Sequence, residues 1–430
     1  HPRQGRRAEA WLRQTSSWQF LSFGFRMSLR GEQVDLEYGG RDDDRQQDHG
    51  QGGAEGRAVF RRLRSFGLSL VLRSCDRNPL GGEPAEQALT NWGRASRFAG
   101  SGDRAALRDL VFQALRCRRS YAALGGGETG RGLILGSLRA EGIDPASVFT
   151  GEGHAPAAIG DEPGHVPEGL EALDCPDWLA PQLQASLGAD FAPVMQALRH
   201  RAPVFLRVNL ARLSREEAQA QLAAEGIGCA FNKLVNSALE VTSNARKIQN
   251  ATAYLDGLVE LQDAASQAVV AALPLRDGMR VLDHCAGGGG KTLAMAARAR
   301  LKLYAHDASP GRMRDLTARA TRAGVKVILT DNPEKTKYYD LILTDVPCSG
   351  SGSWRRDPQG KWALDAARLA QIQQVQAQIM DRAAPMVAPG GVLAYATCSL
   401  LHSENAAQVA AFLARHSGWR QTGELRLTPL

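Results

Sequence analysis

Paired cysteine spacing is missing from this chain. Its 430 residues hold seven cysteines, an odd number with no Cys-x-x-Cys among them, which argues against a disulfide framework and against a zinc or other metal site. No apolar run is long enough to cross a bilayer, and no signal peptide with an apolar centre opens the sequence. The cytoplasm is therefore the expected compartment, a membrane is not an expected partner, and a monomer is the expected state. Internal repeats are also absent. What is present is ordinary for a globular protein of two or three domains: 43% hydrophobic and 23% charged residues. Lys and Arg (52) exceed Asp and Glu (45), a net charge of +7 that favours an anionic partner, nucleic acid first.

The pattern is most informative at Asp340–Trp354, DLILTDVPCSGSGSW. Leu341-Ile342-Leu343 is a short apolar run of the kind a sheet buries on both faces, and it stops at Asp345, before Pro347 and a Gly/Ser-rich loop carrying Cys348. A second run, Gly391–Thr397, ends on Cys398 and Ser399. Open α/β sheets build their sites at the carboxyl ends of parallel strands, so two strands hand a cysteine each to one edge. A lone cysteine there is more often a small core residue than a nucleophile. Two at separate strand ends, one following Asp-x-Pro, reverse that weighting. Cys75, Cys117, Cys175 and Cys229 are read as core residues, and Cys285 as loop packing.

Residues 1–57 lack apolar periodicity and are read as disordered or non-native. A helical domain is expected over 58–150: Leu107, Leu110, Val111, Ala114 and Leu115 share one helix face after Ser101 as a cap, while Arg104, Arg108, Arg116, Arg118 and Arg119 form either a solvated flank or a phosphate-contacting surface. Clustered Gly and Pro make 151–168 a linker. A small α+β unit is expected over 169–255, with Pro176–His200 helical, Val204–Val208 a strand and Ser214-Arg-Glu-Glu217 a capping box.

From 256 to 430 strands and helices alternate. Met279–Asp283 is a strand, His284-Cys-Ala-Gly-Gly-Gly-Gly-Lys-Thr292 a glycine loop opening a helix, and Leu301–Ala305 and Val325–Leu329 are strands ending at Asp307 and Asp331. The alternation predicts an α/β doubly wound, Rossmann-like parallel sheet. The loop Gly287–Gly290 lacks the third glycine of a dinucleotide fingerprint, and Cys285 stands where a P-loop needs glycine. S-adenosylmethionine, with ribose hydroxyls and an amine for strand-end carboxylates, is the remaining ligand. His284 and His306 are read as local hydrogen-bond partners.

Cys285–Lys291, Asp345-Val-Pro-Cys-Ser-Gly-Ser-Gly352, Trp354-Arg-Arg-Asp-Pro358, Lys361-Trp362, and Thr397-Cys-Ser399 with Glu404-Asn405 together resemble the Nop/Sun family of RNA cytosine-5 methyltransferases, nearest its bacterial small-subunit ribosomal RNA members. The likeness covers about residues 200–415, and more loosely 84–150, where the family has a NusB-like RNA-binding domain. It implies a class I methyltransferase sheet, S-adenosylmethionine as cofactor and structured RNA, ribosomal first, as substrate. Transfer RNA and a non-catalytic RNA-binding or assembly role are the alternatives. Carbon 5 of cytosine is a poor nucleophile until a thiolate adds at carbon 6. The resemblance implies Cys398 as that thiolate and Cys348 in its release; the residues alone leave the order open. Asp345 is placed to exchange a proton with ring nitrogen 3. For the cofactor it implies Cys285, Ala286, Gly287, Gly288, Gly289, Gly290 and Lys291, then Asp307 at the ribose, Asp331 near the adenine and Asp345 at the methionine end, with Arg312 a weaker candidate. Trp354, Arg355, Arg356 and Lys361 are expected to line the approach of a flipped base.

Two departures stand out. The family has Ala-Pro where this chain has Gly287-Gly288, so cofactor affinity is expected to be weaker, by up to about tenfold. The family also ends in a further antiparallel hairpin after the helix at Ser403–Arg415. Its lack by Leu430 suggests a shortened chain with an unpaired sheet edge beside Gly391–Thr397.

Overall fold

A computed structural model describes residues 18–24, 84–152, 155–336 and 338–430. Cys75 and the start of the expected helical domain lie outside them. The chain forms two compact units, one holding the strand at 18–24 with 203–348 and 369–428, the other holding residues 84–202 with 349–368 and 429–430.

The second unit is helical, with helices at Ala85–Ala95, Ser101–Arg116, Arg118–Gly125, Gly130–Ala140, Ala180–Leu187 and Phe191–Leu198. The expected face of Leu107, Leu110, Val111, Ala114 and Leu115 is buried in one cluster with Leu133, Ile134, Leu135, Leu138 and Phe149. Gly100, not Ser101, is the cap, and the Asp103 carboxylate accepts from the Gly100 amide at 3.0 Å. The arginine flank is partly solvated, one of the two readings offered: Arg104 and Arg108 are exposed, while Arg116, Arg118 and Arg119 are buried or half-buried. Arg108 pairs with Glu86, Arg118 with Glu128 and Arg119 with Asp177. Arg116 is buried and donates to the Arg355 carbonyl at 2.8 Å, while Arg104 reaches the Ser96 carbonyl at 3.5 Å.

The stretch read as a linker is packed instead. Arg131 donates to the carbonyls of Ala157 and Ala158 at 3.0 Å each, Arg139 donates to the Glu162 carbonyl at 3.1 Å, and the His165 amide donates to the Ala123 carbonyl at 2.8 Å. These donors satisfy carbonyls that Gly and Pro keep out of regular structure. The helices over 180–198 are grouped with this unit.

The other unit holds two sheets. Strands are β1 Trp18–Gly24, β2 Val204–Val208, β3 Cys229–Phe231, β4 Ala238–Val241, β5 Val259–Leu261, β6 Arg280–Asp283, β7 Lys302–Ala305, β8 Ile328–Leu329, β9 Tyr339–Asp345, β10 Val387–Ala396 and β11 Trp419–Arg426. The antiparallel sheet runs β3-β4-β2-β5, so β5 extends the small unit past the expected boundary at 255. The Ser214 capping box forms as expected: Ser214 Oγ accepts from the Glu217 amide at 3.2 Å, and Glu217 accepts from the Ser214 amide at 2.7 Å.

The main sheet runs β11-β1-β10-β9-β6-β7-β8, and every pairing is parallel. Leu341, Ile342 and Leu343 are fully buried, as the apolar run predicts. Leu282, Ile342, Leu393 and Tyr395 pack on one face, and Val281, Leu341, Leu343 and Ala394 on the other. Residues 18–24 fall in the segment read as disordered, yet they form β1. It pairs with β10 from Gln19↔Val392 to Phe23↔Ala396 and with β11 on its other side. The flank of Gly391–Thr397 is therefore paired, because its backbone donors and acceptors take a partner from 373 residues away in sequence. Among the described residues no helix is long and apolar enough to cross a membrane.

Candidate active site

Since all seven strands run parallel, the ends of β6, β7, β8, β9 and β10 open on one edge, with Asp283, Asp307, Asp331, Asp345 and Cys398 at or just beyond them. The β6 loop turns through Gly287 (φ +51°) and Gly289 (φ +80°) before the helix Gly290–Ala296. A Cβ on Gly289 would lie 2.0 Å from Leu316 Cδ1, so both conformation and space demand glycine. The Gly289 amide donates to the Ala286 carbonyl at 2.8 Å, while the first amides of the following helix have no acceptors within it. Asp307 is buried and accepts from the Gly287 amide at 3.0 Å and the Ser309 amide at 2.9 Å; Arg312 stands 3.3 Å away. Asp331, past the short β8, is exposed.

Under the loop lies a residue that sequence reading counted only as a strand terminus. Asp283 accepts from Thr292 Oγ1 at 2.7 Å through one oxygen, and its other oxygen is buried without a partner among the described residues. Burial pushes its pKa up to about 7 against the Thr292 hydrogen bond, with Asp345 and Asp307 adding to the rise. Burial also raises the Cys285 thiol far above its usual range, which fits a packing role. His306 Nδ1 lies 2.9 Å from the Thr330 carbonyl and stacks on His284, whose pKa burial and that neighbour pull down to about 4. His306 is a local hydrogen-bond partner, as expected, whereas His284 Nδ1 is buried without a hydrogen-bond partner among the described residues and the ring is held by stacking.

Cys348 Sγ and Cys398 Sγ are 3.2 Å apart. Lys291 Nζ contacts Asp345 Oδ2 at 2.6 Å. Burial alone would lower the Lys291 pKa, but Asp345 and Asp283 outweigh it and hold the ammonium above its ordinary value. Lys291, Asp345, Thr397 and Cys398 line one cavity of about 30 Å³ together with Leu425 and Leu427. That space suits a water molecule, not a pyrimidine ring.

The loops carrying the thiols are braced from behind. Gln376 Nε2 donates to the Pro347 carbonyl and to Glu404 Oε1, both at 3.0 Å; Ser399 Oγ donates to Glu404 Oε2. Thr397 Oγ1 donates to Asn405 Oδ1 at 2.6 Å, and Asn405 Nδ2 donates to the Ser399 and Leu401 carbonyls at 2.9 Å each. Gln376 escaped sequence reading because nothing local distinguishes it from other glutamines of its helix.

The residues expected to line a base are largely committed within the helical unit. Residues 349–368 belong to the helical unit, where Trp354 and Lys361 are each 1% exposed. Lys361 Nζ donates to the Arg116 carbonyl at 3.0 Å, and burial pulls its pKa down to about 8. Trp362 Nε1 donates to the Leu115 carbonyl at 2.6 Å, and Arg355 to the carbonyls of His200 and Arg201. Only Arg356 of the four is exposed. These side chains anchor the segment into the helices because their donors meet helix-end and loop carbonyls there.

A family model described as 16S rRNA methyltransferase RsmB/F matches residues 270–425, and one described as an RsmF/B-like ferredoxin-like domain matches residues 175–249. The chain is similar to the ribosomal RNA small subunit methyltransferase B of Vibrio vulnificus (strain YJ016), 34% identical over 262 residues, covering 59% of this chain and 61% of that protein. The same-named protein of Serratia proteamaculans (strain 568) is 32% identical over 253 residues, covering 57% of this chain and 59% of that one. The chain thus spans about 60% of the length of these curated relatives. A solved methyltransferase homolog protein from Pyrococcus horikoshii superposes with a TM-score of 0.50 at 26% identity, covering 57% of this chain and 80% of that one.

Proposed function

With residues 270–425 belonging to the RsmB/F methyltransferase family, we propose that this chain methylates carbon 5 of a cytosine in small-subunit ribosomal RNA, using S-adenosylmethionine. The observation that carries the reading is the pair of thiols 3.2 Å apart, with Cys398 sharing a cavity with Lys291 and Asp345 at the strand ends. The residues around the glycine loop fit the cofactor. Asp307 and the helix amides offer an acceptor and donors, and the unpartnered Asp283 oxygen suits an amine or hydroxyl. S-adenosylmethionine supplies an electrophilic methyl group when bound.

Lys291 lies beside Cys398, and an ammonium there favours the thiolate, which supports Cys398 as nucleophile. Its sulfur forms a bond to carbon 6 and the ring electron pair moves to carbon 5. Asp345 exchanges the proton at ring nitrogen 3. After carbon 5 is methylated, Cys348 takes the carbon 5 proton, the double bond re-forms and the sulfur–carbon 6 bond breaks. Entry of a flipped base requires Leu425 and Leu427 to give way, since the present cavity is too small.

The helical unit is assigned the NusB-like RNA-binding role from the family likeness. Of its five flank arginines, Arg104 and Arg108 are exposed and held only by a long hydrogen bond and a surface ion pair, so they are the ones able to meet phosphate. The test is incubation with labelled S-adenosylmethionine and small-subunit ribosomal RNA. Transfer to one cytosine, with a Cys348→Ala variant trapped as a covalent RNA adduct, is the expected result. A trapped Cys398→Ala adduct would reverse the two roles, and RNA binding without transfer would favour an assembly protein.

A further inference from the structure

Four consecutive glycines cannot order themselves. With no Cβ to restrict φ and ψ, each loses more freedom on being fixed than any other residue, so the loop's shape has to come from outside it. Asp307 holds the Gly287 amide and the Gly289 amide closes on Ala286; two carbonyls carry the rest of the constraint, Gly288 inside the loop and Gly290 where the helix begins. Arg207 Nη1, from β2 of the antiparallel sheet, donates to the Gly290 carbonyl at 2.6 Å and to Gln262 Oε1 at 2.7 Å. Arg319 Nη1 donates to the Gly288 carbonyl and, through its other terminal nitrogen, to Glu260 Oε2 at 2.9 Å. Glu260 lies on β5 of the same small sheet and is 3% exposed.

Arg207 is an expensive residue to place there. It is 5% exposed, its Nε has no partner among the described residues, and burial pulls its pKa down to about 10. Glu260, the carboxylate that acts on it, is already committed to Arg319 and Arg322. A guanidinium buried without its own carboxylate is a poor stabilising device. Its two bonds from one nitrogen instead fix a peptide plane. A trans peptide opposes C=O and N–H, so holding the Gly290 carbonyl fixes the direction of the Lys291 amide, on the same residue as the ammonium that meets Asp345.

We propose that the small antiparallel sheet acts as a clamp on the cofactor loop, with Arg207, and Glu260 through Arg319, as positioning residues that preset the tetraglycine turn for S-adenosylmethionine. The inference rests on the functional reading above and adds to it a role for the small sheet.

The test combines calorimetric titration of the full chain with S-adenosylmethionine and backbone hydrogen exchange without it. Arg207→Met is expected to weaken binding at least tenfold and to speed exchange of the 287–291 amides at least tenfold, with β2 and β5 protected as before. Arg207→Lys should recover part of both. Arg319→Gln, at a partly exposed position, should show the same pattern more weakly and serves if Arg207→Met fails to fold. Unchanged loop exchange and affinity in both variants, or equal loss of protection in β2 and β5, would overturn the clamp. If the unsubstituted chain does not bind S-adenosylmethionine, the functional reading fails instead, and the exchange arm still decides whether the loop is clamped.

Discussion

At the tip of β6 the chain has four glycines, and at the tips of β9 and β10 it has cysteines among serines; the two regions are held by different kinds of contact. The glycine loop is gripped through its main chain, by Asp307 on an amide and by Arg207 and Arg319 on carbonyls. The cysteine loops are gripped mainly through a side-chain network, in which Gln376, Ser399 and Glu404 are buried together and Asn405 adds to them. A ligand read by backbone amides needs peptide planes fixed and side chains absent. A covalent step needs one sulfur fixed and its neighbours small. The kind of support follows what each region must present.

The comparison breaks most sharply at the sulfur. Cys398→Ser should abolish the RNA adduct and lower methyl transfer by about a thousandfold or more, since a hydroxyl is a far weaker nucleophile than a thiolate. S-adenosylmethionine affinity, measured by calorimetry, should stay within about twofold. Loss of both together would mean the two regions are one. Glu404→Ala comes next. It takes an acceptor from the Ser399 hydroxyl and one of two from the Gln376 amide, which keeps the Pro347 carbonyl, in a fully buried site. A buried donor that loses its acceptor costs about 1–3 kcal/mol, so denaturant unfolding should register a loss of roughly that size, together with reduced adduct formation. An undisturbed unfolding midpoint would show that the network is not what holds Cys398.

Much of this frame was legible from the chain itself, and the reasons are local. Apolar runs such as Leu341–Leu343 and the loop chemistry at Cys348, Cys398 and the glycines need only neighbours in sequence to be read. What was misread depended on distant partners. Residues 151–168 look like a linker by composition, but Arg131 and Arg139 satisfy their carbonyls. Lys361 and Trp354 look like RNA contacts by type, but the helical unit buries them. Arg207 lies 83 residues from the carbonyl it holds. The strand at 18–24 carries no apolar alternation that would mark it, and it forms because β10 and β11 offer ladders on both sides.

Gly289→Ala tests the steric half of the glycine loop. The new methyl would fall 2.0 Å from Leu316 Cδ1 at a φ of +80°, so a loss of about 1–3 kcal/mol in stability and a weakened cofactor site are expected. Unchanged unfolding would mean that the turn can rearrange, and the clamp on Gly288 and Gly290 would lose its purpose.

A titration separates the regions by pH. Asp283, beneath the glycine loop, has its folded pKa raised to about 7 from 3.8, first by burial. The folded carboxyl keeps its proton between those values while the unfolded chain has already released it. Folded protein therefore binds more protons than unfolded, and stability falls as pH rises through that window. Asp283→Asn, neutral at every pH, escapes this loss and can still accept from Thr292. The variant's advantage over the parent should widen by roughly 2–3 kcal/mol between pH 5 and pH 7, at about 1.4 kcal/mol for each unit, in thermal or denaturant unfolding without cofactor. A constant gap would mean the carboxyl is ionised in the fold, with its second oxygen partnered after all. The cysteine-side variant Glu404→Ala serves as the control, run over the same window. If it shows the same slope relative to the parent as Asp283→Asn, the titration belongs to the sheet edge as a whole and not to the floor of the glycine loop.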